Sequence, residues 1–246
     1  MNNQSKKRMK TFALGFAVGL LIFFAIYGFG VVNVQNDSFL INGYIEKDIA
    51  QHYRGWVLFR NSPWQFPIGV GQNLAYPYGT AVSYTDSIPL FAIFFKIFRS
   101  ILPQTFQYFG IFVMLCFGLQ GGFGALLVSL FAESRVFTTL SAGAFCLMPV
   151  LIERRFRHCG LTAQFLILRC LYFYFKNKGK TDFKALLPFF VINRLSITIH
   201  PYFLPFTFGI MFAFCLENFF MTKEKLKPVC KHTVVRRMFH KSNEVA

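Results

Sequence analysis

Two carboxylates and three histidines carry most of the chemistry that this sequence can perform. Asp48 and His52 stand four residues apart, so on a helix both project from one face. That spacing suits an Asp-His pair, or two ligands of a divalent cation if further oxygen ligands join them, and the sequence does not mark those. Asp86 follows in Tyr84-Thr85-Asp86-Ser87-Ile88-Pro89-Leu90. A carboxylate within hydrogen-bond reach of a hydroxyl can serve as its general base, which makes Asp48 and Asp86 the candidate catalytic acids. Arg154, Arg155, Arg157 and His158 cluster in one turn, and guanidinium forks match phosphate oxygens. His200 precedes Pro201, while Arg54, Trp56, Arg60 and Trp64 surround the first acid in sequence. The two tryptophans can stack on a sugar ring or anchor at a membrane interface. Plainer roles also exist. Asp48 can be a solvated surface acid, Asp86 a helix N-terminal residue favoured by the macrodipole, and the arginines a basic helix flank.

The elements that must position these groups are apolar helices. Thr11 to Val32 carries no charge, against the roughly 20 apolar residues that a spanning helix needs, and it follows Lys6, Lys7, Arg8 and Lys10. Its apolar core exceeds the roughly 7 to 15 residues of a signal peptide, so it reads as a retained helix. Further apolar segments run over Ser87–Leu102, Tyr108–Phe131, Val136–Ile152, Leu161–Phe175 and Ala185–Phe220, the last divided at His200-Pro201. With 54% hydrophobic and 15% charged residues, the chain is too apolar for an ordinary soluble domain. The expected fold is all-α, a polytopic transmembrane helical bundle in one membrane domain. A basic tail (1–10) leads into the first span (11–32). A large outer loop with a juxtamembrane helix (33–86), further membrane helices (87–220) and a basic tail (221–246) follow.

Charge orients the bundle. The net charge of +16 lies largely in the two tails, a distribution suited to anionic lipid, and no nucleic-acid motif accompanies it. Membrane lipids are the expected partners and nucleic acid is not. If Ser87–Leu102 crossed fully, the basic Lys176–Lys180 loop and the C-terminal tail would both lie outside, against the positive-inside rule. If it returns to the outer face, both become cytoplasmic, and the loop, the Arg154–His158 turn and His200 share the outer face. We expect the second arrangement. Gln120 and Arg194, polar groups within apolar segments, are expected to face the bundle interior, with snorkelling toward an interface or pairing with a carboxylate open to Arg194. Gly15 with Gly19 and Gly118 with Gly122 allow close helix approach, within the chain or between copies. The six cysteines show no C-x-x-C spacing and read as small buried hydrophobes.

A family resemblance rests on the loop. Asp48-x-x-Gln51-His52-x-x-Gly55-Trp56-x-x-Phe59-Arg60-x-Ser62-Pro63-Trp64, Pro67-x-Gly69, Tyr76-Pro77-x-Gly79-Thr80 and Tyr84–Leu90 resemble the N-terminal region of an uncharacterised family of bacterial multi-pass membrane proteins. That layout is in turn similar to the family C glycosyltransferases, which use polyprenyl-phosphate sugars. The resemblance covers about residues 11–220 and is most specific in the first loop. It implies a bacterial inner-membrane protein with a polyprenyl-phosphate sugar as substrate. In those enzymes an acid early in the juxtamembrane helix orients or deprotonates the acceptor, and by position that acid is Asp48. The implied substrate-binding set is His52, Arg54, Trp56, Arg60, Trp64, Arg155, Arg157, His158 and His200. No cofactor is required, although a divalent cation can be accommodated. The related enzymes are longer, so the chain looks like an N-terminal fragment. It also departs from them at Arg157, where a Gly is expected before His158, and at Gln164, where a second His is expected. A non-catalytic membrane subunit and a lipid or solute transporter are the competing classes. No internal repeat of broken helices favours the transporter.

Overall fold

The computed structural model describes residues 3–41, 47–154, 157–180 and 182–220. It is a helical bundle built around one central helix. Within it run α1 (Asn3–Tyr27), α2 (Ser38–Ile41), α3 (Lys47–Asn61), α4 (Pro89–Ile97), α5 (Phe109–Val128), α6 (Arg135–Cys146), α7 (Pro149–Arg154), α8 (Phe165–Lys176) and α9 (Phe183–Ile199). A final helix, α10, spans Phe203–Phe220. Among the described residues, strand is confined to a two-residue antiparallel ladder, with Val70 opposite Ala81 and Gly71 opposite Thr80. The all-α expectation therefore holds. Among the described residues, three helices, α1, α5 and α10, are long and apolar enough to cross a membrane.

Glycine sets the position of the central helix. Gly15 and Gly19 of α1 lie against the Gly121 and Phe117 backbone of α5, and Val31 lies against Gly110, so the two helices run antiparallel. A Cβ at Gly15 would fall 2.5 Å from Gly121 O and 2.7 Å from Ala125 Cβ. Both Gly-x-x-x-Gly pairs thus serve one seam inside the chain, since Gly118 and Gly122 receive the rings of Phe16 and Phe12. Two thirds of the α5 window is buried (67%), against 17% for α1 and 22% for α10, which makes α5 the axis of the bundle.

The other helices wrap this axis in alternating directions. Ser134 caps α6 by accepting from the Phe137 N–H at 3.3 Å, and α6 then runs back along α5 until Cys146 Sγ reaches Phe117 O at 3.4 Å. α8 descends again, with Phe165 beside Phe123 and Phe175 beside Phe131. α9 and α10 form a hairpin closed by Ser196 and Thr207, 3.2 Å apart, and by the tilted ring pair of Phe189 and Phe214. Lys178 and Tyr174 both bind Glu217 near the end of α10, at 2.8 and 2.6 Å.

This winding gives the bundle two unlike ends. At one end, Lys6, Lys7, Lys10 and Arg135 line a cavity of about 610 Å³, and Arg8 lies close enough to Lys176 to repel it. At the other end sit α2, α3, the small ladder and α4. The Lys176–Lys180 loop shares the end of the N-terminal basic cluster, as the charge argument required.

Several expectations need correction in detail. Ser87–Leu102 is not one helix. α4 has nine residues and is about 14 Å long, well short of the roughly 30 Å of a bilayer core. The chain then returns to Tyr108, whose hydroxyl donates to Ser87 O, so both flanks of α4 lie at the same end. Val136–Ile152 breaks between Cys146 and Pro149, and the helix expected from Leu161 starts only at Phe165, after a 3-10 turn at Cys159–Thr162. Gln120 is buried as expected and donates to Phe145 O at 3.4 Å, whereas Arg194 is exposed on α9 and does not face the interior. Cys116, Cys146, Cys159 and Cys170 are buried, but Cys215 is exposed. The 221–246 tail and Arg155 lie outside the described residues.

Candidate active site

The end formed by α3 is fixed by two buried side chains. Trp56 is fully buried and its indole N–H donates to Phe106 O at 2.9 Å. The Arg60 guanidinium reaches the carbonyls of Pro103 (2.8 Å), Gln104 (3.2 Å), Arg99 (3.3 Å) and Leu102 (2.8 Å). These carbonyls belong to the loop of residues 99–104 that follows α4, and the buried guanidinium holds that loop by its backbone. Neither side chain is available to a sugar or phosphate, and both expected substrate-binding roles are corrected to structural ones. Trp64 is half-exposed and lies 4.6 Å from the buried Lys96 ammonium, which also sits over Phe59, so it packs with α4.

α3 then meets the Tyr84–Ile88 turn at very short range. A Cβ on Gly55 would collide with Thr85 and fall 2.7 Å from Ser87 Oγ, so only glycine allows this approach. Ser87 Oγ donates to His52 O at 2.6 Å, tying the turn to the helix. Asp86 follows a 3-10 turn with φ 54° and ψ 25°, and Ile88 also has positive φ. Such left-handed residues cost of order 1–3 kcal/mol and persist where the surroundings over-determine them. Asp86 is therefore not a residue of the α4 N-terminus. Its backbone turns its carboxylate into a cluster of imidazoles.

Three histidines surround that carboxylate. His52 Nε2 lies 3.4 Å from Asp86 Oδ2, His158 Nδ1 lies 3.8 Å from the same oxygen, and His200 Nε2 lies 3.1 Å from Oδ1. His158 Nε2 in turn lies 3.6 Å from Asp48 Oδ2. Side-chain exposure grades outward, from 4% at His52 and 17% at Asp86 to 37% at His158 and 55% at Asp48, so the cluster opens on the Asp48 side. Burial holds His52 below its ordinary pKa, with Asp86 opposing, so its imidazole is neutral at pH 7. The Tyr202 N–H donates to His200 Nδ1 at 3.2 Å, which leaves the proton of a neutral His200 on Nε2, facing Asp86.

The remaining expected residues fall around this cluster or beyond it. Arg54 is exposed one turn along α3, on a cleft of about 440 Å³ that Gln51, Tyr84 and Thr85 also line. Arg157 is exposed and paired with Glu153 at 3.2 Å. Gly160 was not singled out by sequence reasoning, yet a Cβ there would lie 2.8 Å from both Asp86 Oδ1 and His200 Cδ2. Its position two residues after His158 was the available signal.

A helical bundle with apolar spans and one polar histidine-aspartate cluster defines an integral membrane protein with a candidate active site at one end. The chain belongs to a family described as a domain of unknown function, DUF6311, which matches residues 16–237 and so includes every residue of the cluster. No curated protein and no solved structure matches it.

Proposed function

We propose that the histidine-aspartate end faces outward from a bacterial cytoplasmic membrane, and that the protein is a glycosyltransferase of the family C type acting on polyprenyl-phosphate sugars. The observation that carries the reading is the convergence of Asp48 and Asp86 with three histidines, at the end of the bundle remote from the N-terminal lysines. Positive-inside orientation then directs this cluster outward. Tyr76, Tyr78, Tyr84 and Phe66 are exposed on the same loop, where aromatic rings suit headgroup depth. In the reaction, an acceptor hydroxyl oxygen attacks the anomeric carbon of the lipid-linked sugar. The bond from that carbon to the phosphate oxygen breaks, and polyprenyl phosphate leaves with the electron pair. The acceptor proton passes to Asp48, the most exposed acid of the cluster. Arg157, exposed and next to His158 in the chain, provides a guanidinium group for the phosphate.

The test uses the whole chain in proteoliposomes with a polyprenyl-phosphate hexose, reading release of polyprenyl phosphate. Wild type is expected to release it in the presence of a hydroxyl acceptor, and Asp48→Asn to lose about 100- to 10,000-fold. Turnover unchanged in Asp48→Asn would remove Asp48 from the reaction. No release with any hexose donor would count against the activity itself.

A further inference from the structure

We propose that His52, Asp86 and His158 form a binding site for a divalent transition metal of the zinc class. The ligand atoms of these three residues all lie within 4.8 Å of one another. The 3.4 and 3.8 Å separations of the two imidazole nitrogens from Asp86 Oδ2 are long for hydrogen bonds. They are close to the donor-to-donor edge of a tetrahedral site, about 3.3 Å when metal–ligand bonds are 2.0 to 2.1 Å. The i, i+4 pairing of Asp48 with His52 is thus not the ligand set. Asp86 supplies the carboxylate, from a turn remote in sequence.

The surroundings of Asp86 and His158 are those of a built site, while the second nitrogen of His52, Nδ1, is buried without a hydrogen-bond partner. Metal-bound histidines typically turn their second ring nitrogen toward a carboxylate, and His158 faces Asp48 with Nε2 at 3.6 Å, just beyond direct hydrogen-bond range, while Nδ1 faces Asp86. Ligating carboxylates are themselves held by hydrogen bonds. His200, fixed as the Nε2–H tautomer by Tyr202 N–H, donates to Asp86 Oδ1 at 3.1 Å. Gly160 leaves the space that Asp86 and His200 occupy. The left-handed backbone of Asp86 is an independent sign that the turn is held for its side chain.

The donor set selects the ion. Two imidazoles and one carboxylate suit zinc, cobalt, manganese or iron, whereas magnesium and calcium take oxygen sets. Three protein ligands leave a coordination position for water or a phosphate oxygen. This inference goes beyond glycosyl transfer and stands without it, because binding of the ion is read independently of turnover.

The experiment titrates Co²⁺ into the full chain, purified in detergent without a polyhistidine tag and stripped with chelator, and follows the visible d–d absorption. One Co²⁺ per chain is expected, displaced by Zn²⁺ and unaffected by millimolar Mg²⁺. Asp86→Asn and His158→Ala, both checked for folding by thermal melting, should weaken binding by at least about 100-fold. His200→Ala, which removes only a supporting hydrogen bond, should weaken it by about 10- to 100-fold. A His232→Ala/His240→Ala variant, altered only in the basic tail, should bind as wild type. Absence of binding in wild type, equal binding in the folded Asp86→Asn and His158→Ala variants, or loss confined to the tail variant would each overturn the site.

Discussion

His200 Nε2 lies 3.1 Å from Asp86 Oδ1 although the two residues stand on opposite sides of the bundle's central helix in sequence. The contact joins the loop after the first span to the hairpin of α9 and α10, and it depends on a glycine. A Cβ at residue 160 would press on both partners at 2.8 Å. Gly160→Ala is expected to lower stability by about 1–3 kcal/mol, the usual penalty of overpacking, and to weaken any ligand of the cluster. Denaturation in detergent measures the first effect. A Gly160→Ala protein as stable as wild type would show that Asp86 and His200 can separate without penalty.

Arg60 offers a test of structural against substrate-binding roles. Its removal leaves four carbonyls of the loop after α4 without their donor, and unsatisfied buried polar groups cost about 1–3 kcal/mol each. Arg60→Ala should therefore lose about 3 kcal/mol or more, and Arg60→Lys should recover only part, because an ammonium lacks the planar fork. Equal melting temperatures for wild type and Arg60→Lys would contradict the loop-holding role.

Tyr53 supplies a pH-dependent prediction. Its hydroxyl donates to Asp37 Oδ2 at 3.0 Å, and burial, with that hydrogen bond adding to it, pushes its pKa up to about 12. The folded state therefore favours the protonated phenol. The contribution is complete below the unfolded pKa of about 10 and is lost as pH rises through about 12. Tyr53→Phe is expected to cost about 1–2 kcal/mol at pH 8, with the gap to wild type closing between pH 10 and 12. A gap that stayed constant over that interval would assign the loss to packing.

The orientation of the bundle can be read by labelling. Single cysteines added at Gln72 and Lys180, both exposed and at opposite ends, should react differently with a membrane-impermeant maleimide in intact cells, with only position 72 labelled. Labelling at position 180 alone, or at both, would reverse or reject the outward placement of the histidine cluster.

How much of this was legible in the sequence differs by element. Long apolar runs announce helices through composition alone, so α1, α5 and the α9–α10 hairpin could be read directly. The non-crossing second segment was legible through charge, since only that arrangement keeps Lys176–Lys180 with the N-terminal lysines. Its shortness was not, because the loop that returns the chain after α4 is held by Arg60 from another element. Asp48, His52, Asp86, His158 and His200 were each visible as chemistry. Their grouping around Asp86 was hidden, because it depends on a left-handed backbone and on Gly55 and Gly160 admitting close neighbours. Trp56 and Arg60 were misread because aromatic and guanidinium groups in a loop serve a buried backbone contact as readily as a ligand. Arg194 turns outward and not to the interior, the alternative open to a long side chain on an apolar helix.

The central claim, that the histidine-aspartate end receives a polyprenyl-phosphate sugar, is tested most directly by crosslinking. A photoreactive polyprenyl phosphate is activated on the reconstituted protein, and the adducts are mapped by mass spectrometry. The account predicts adducts within 47–64 and 157–164, beside Asp48, Arg54, Arg157 and His158, with competition by unlabelled polyprenyl phosphate. Adducts confined to Lys6–Lys10 and Lys176–Lys180, or none that unlabelled lipid displaces, would contradict it.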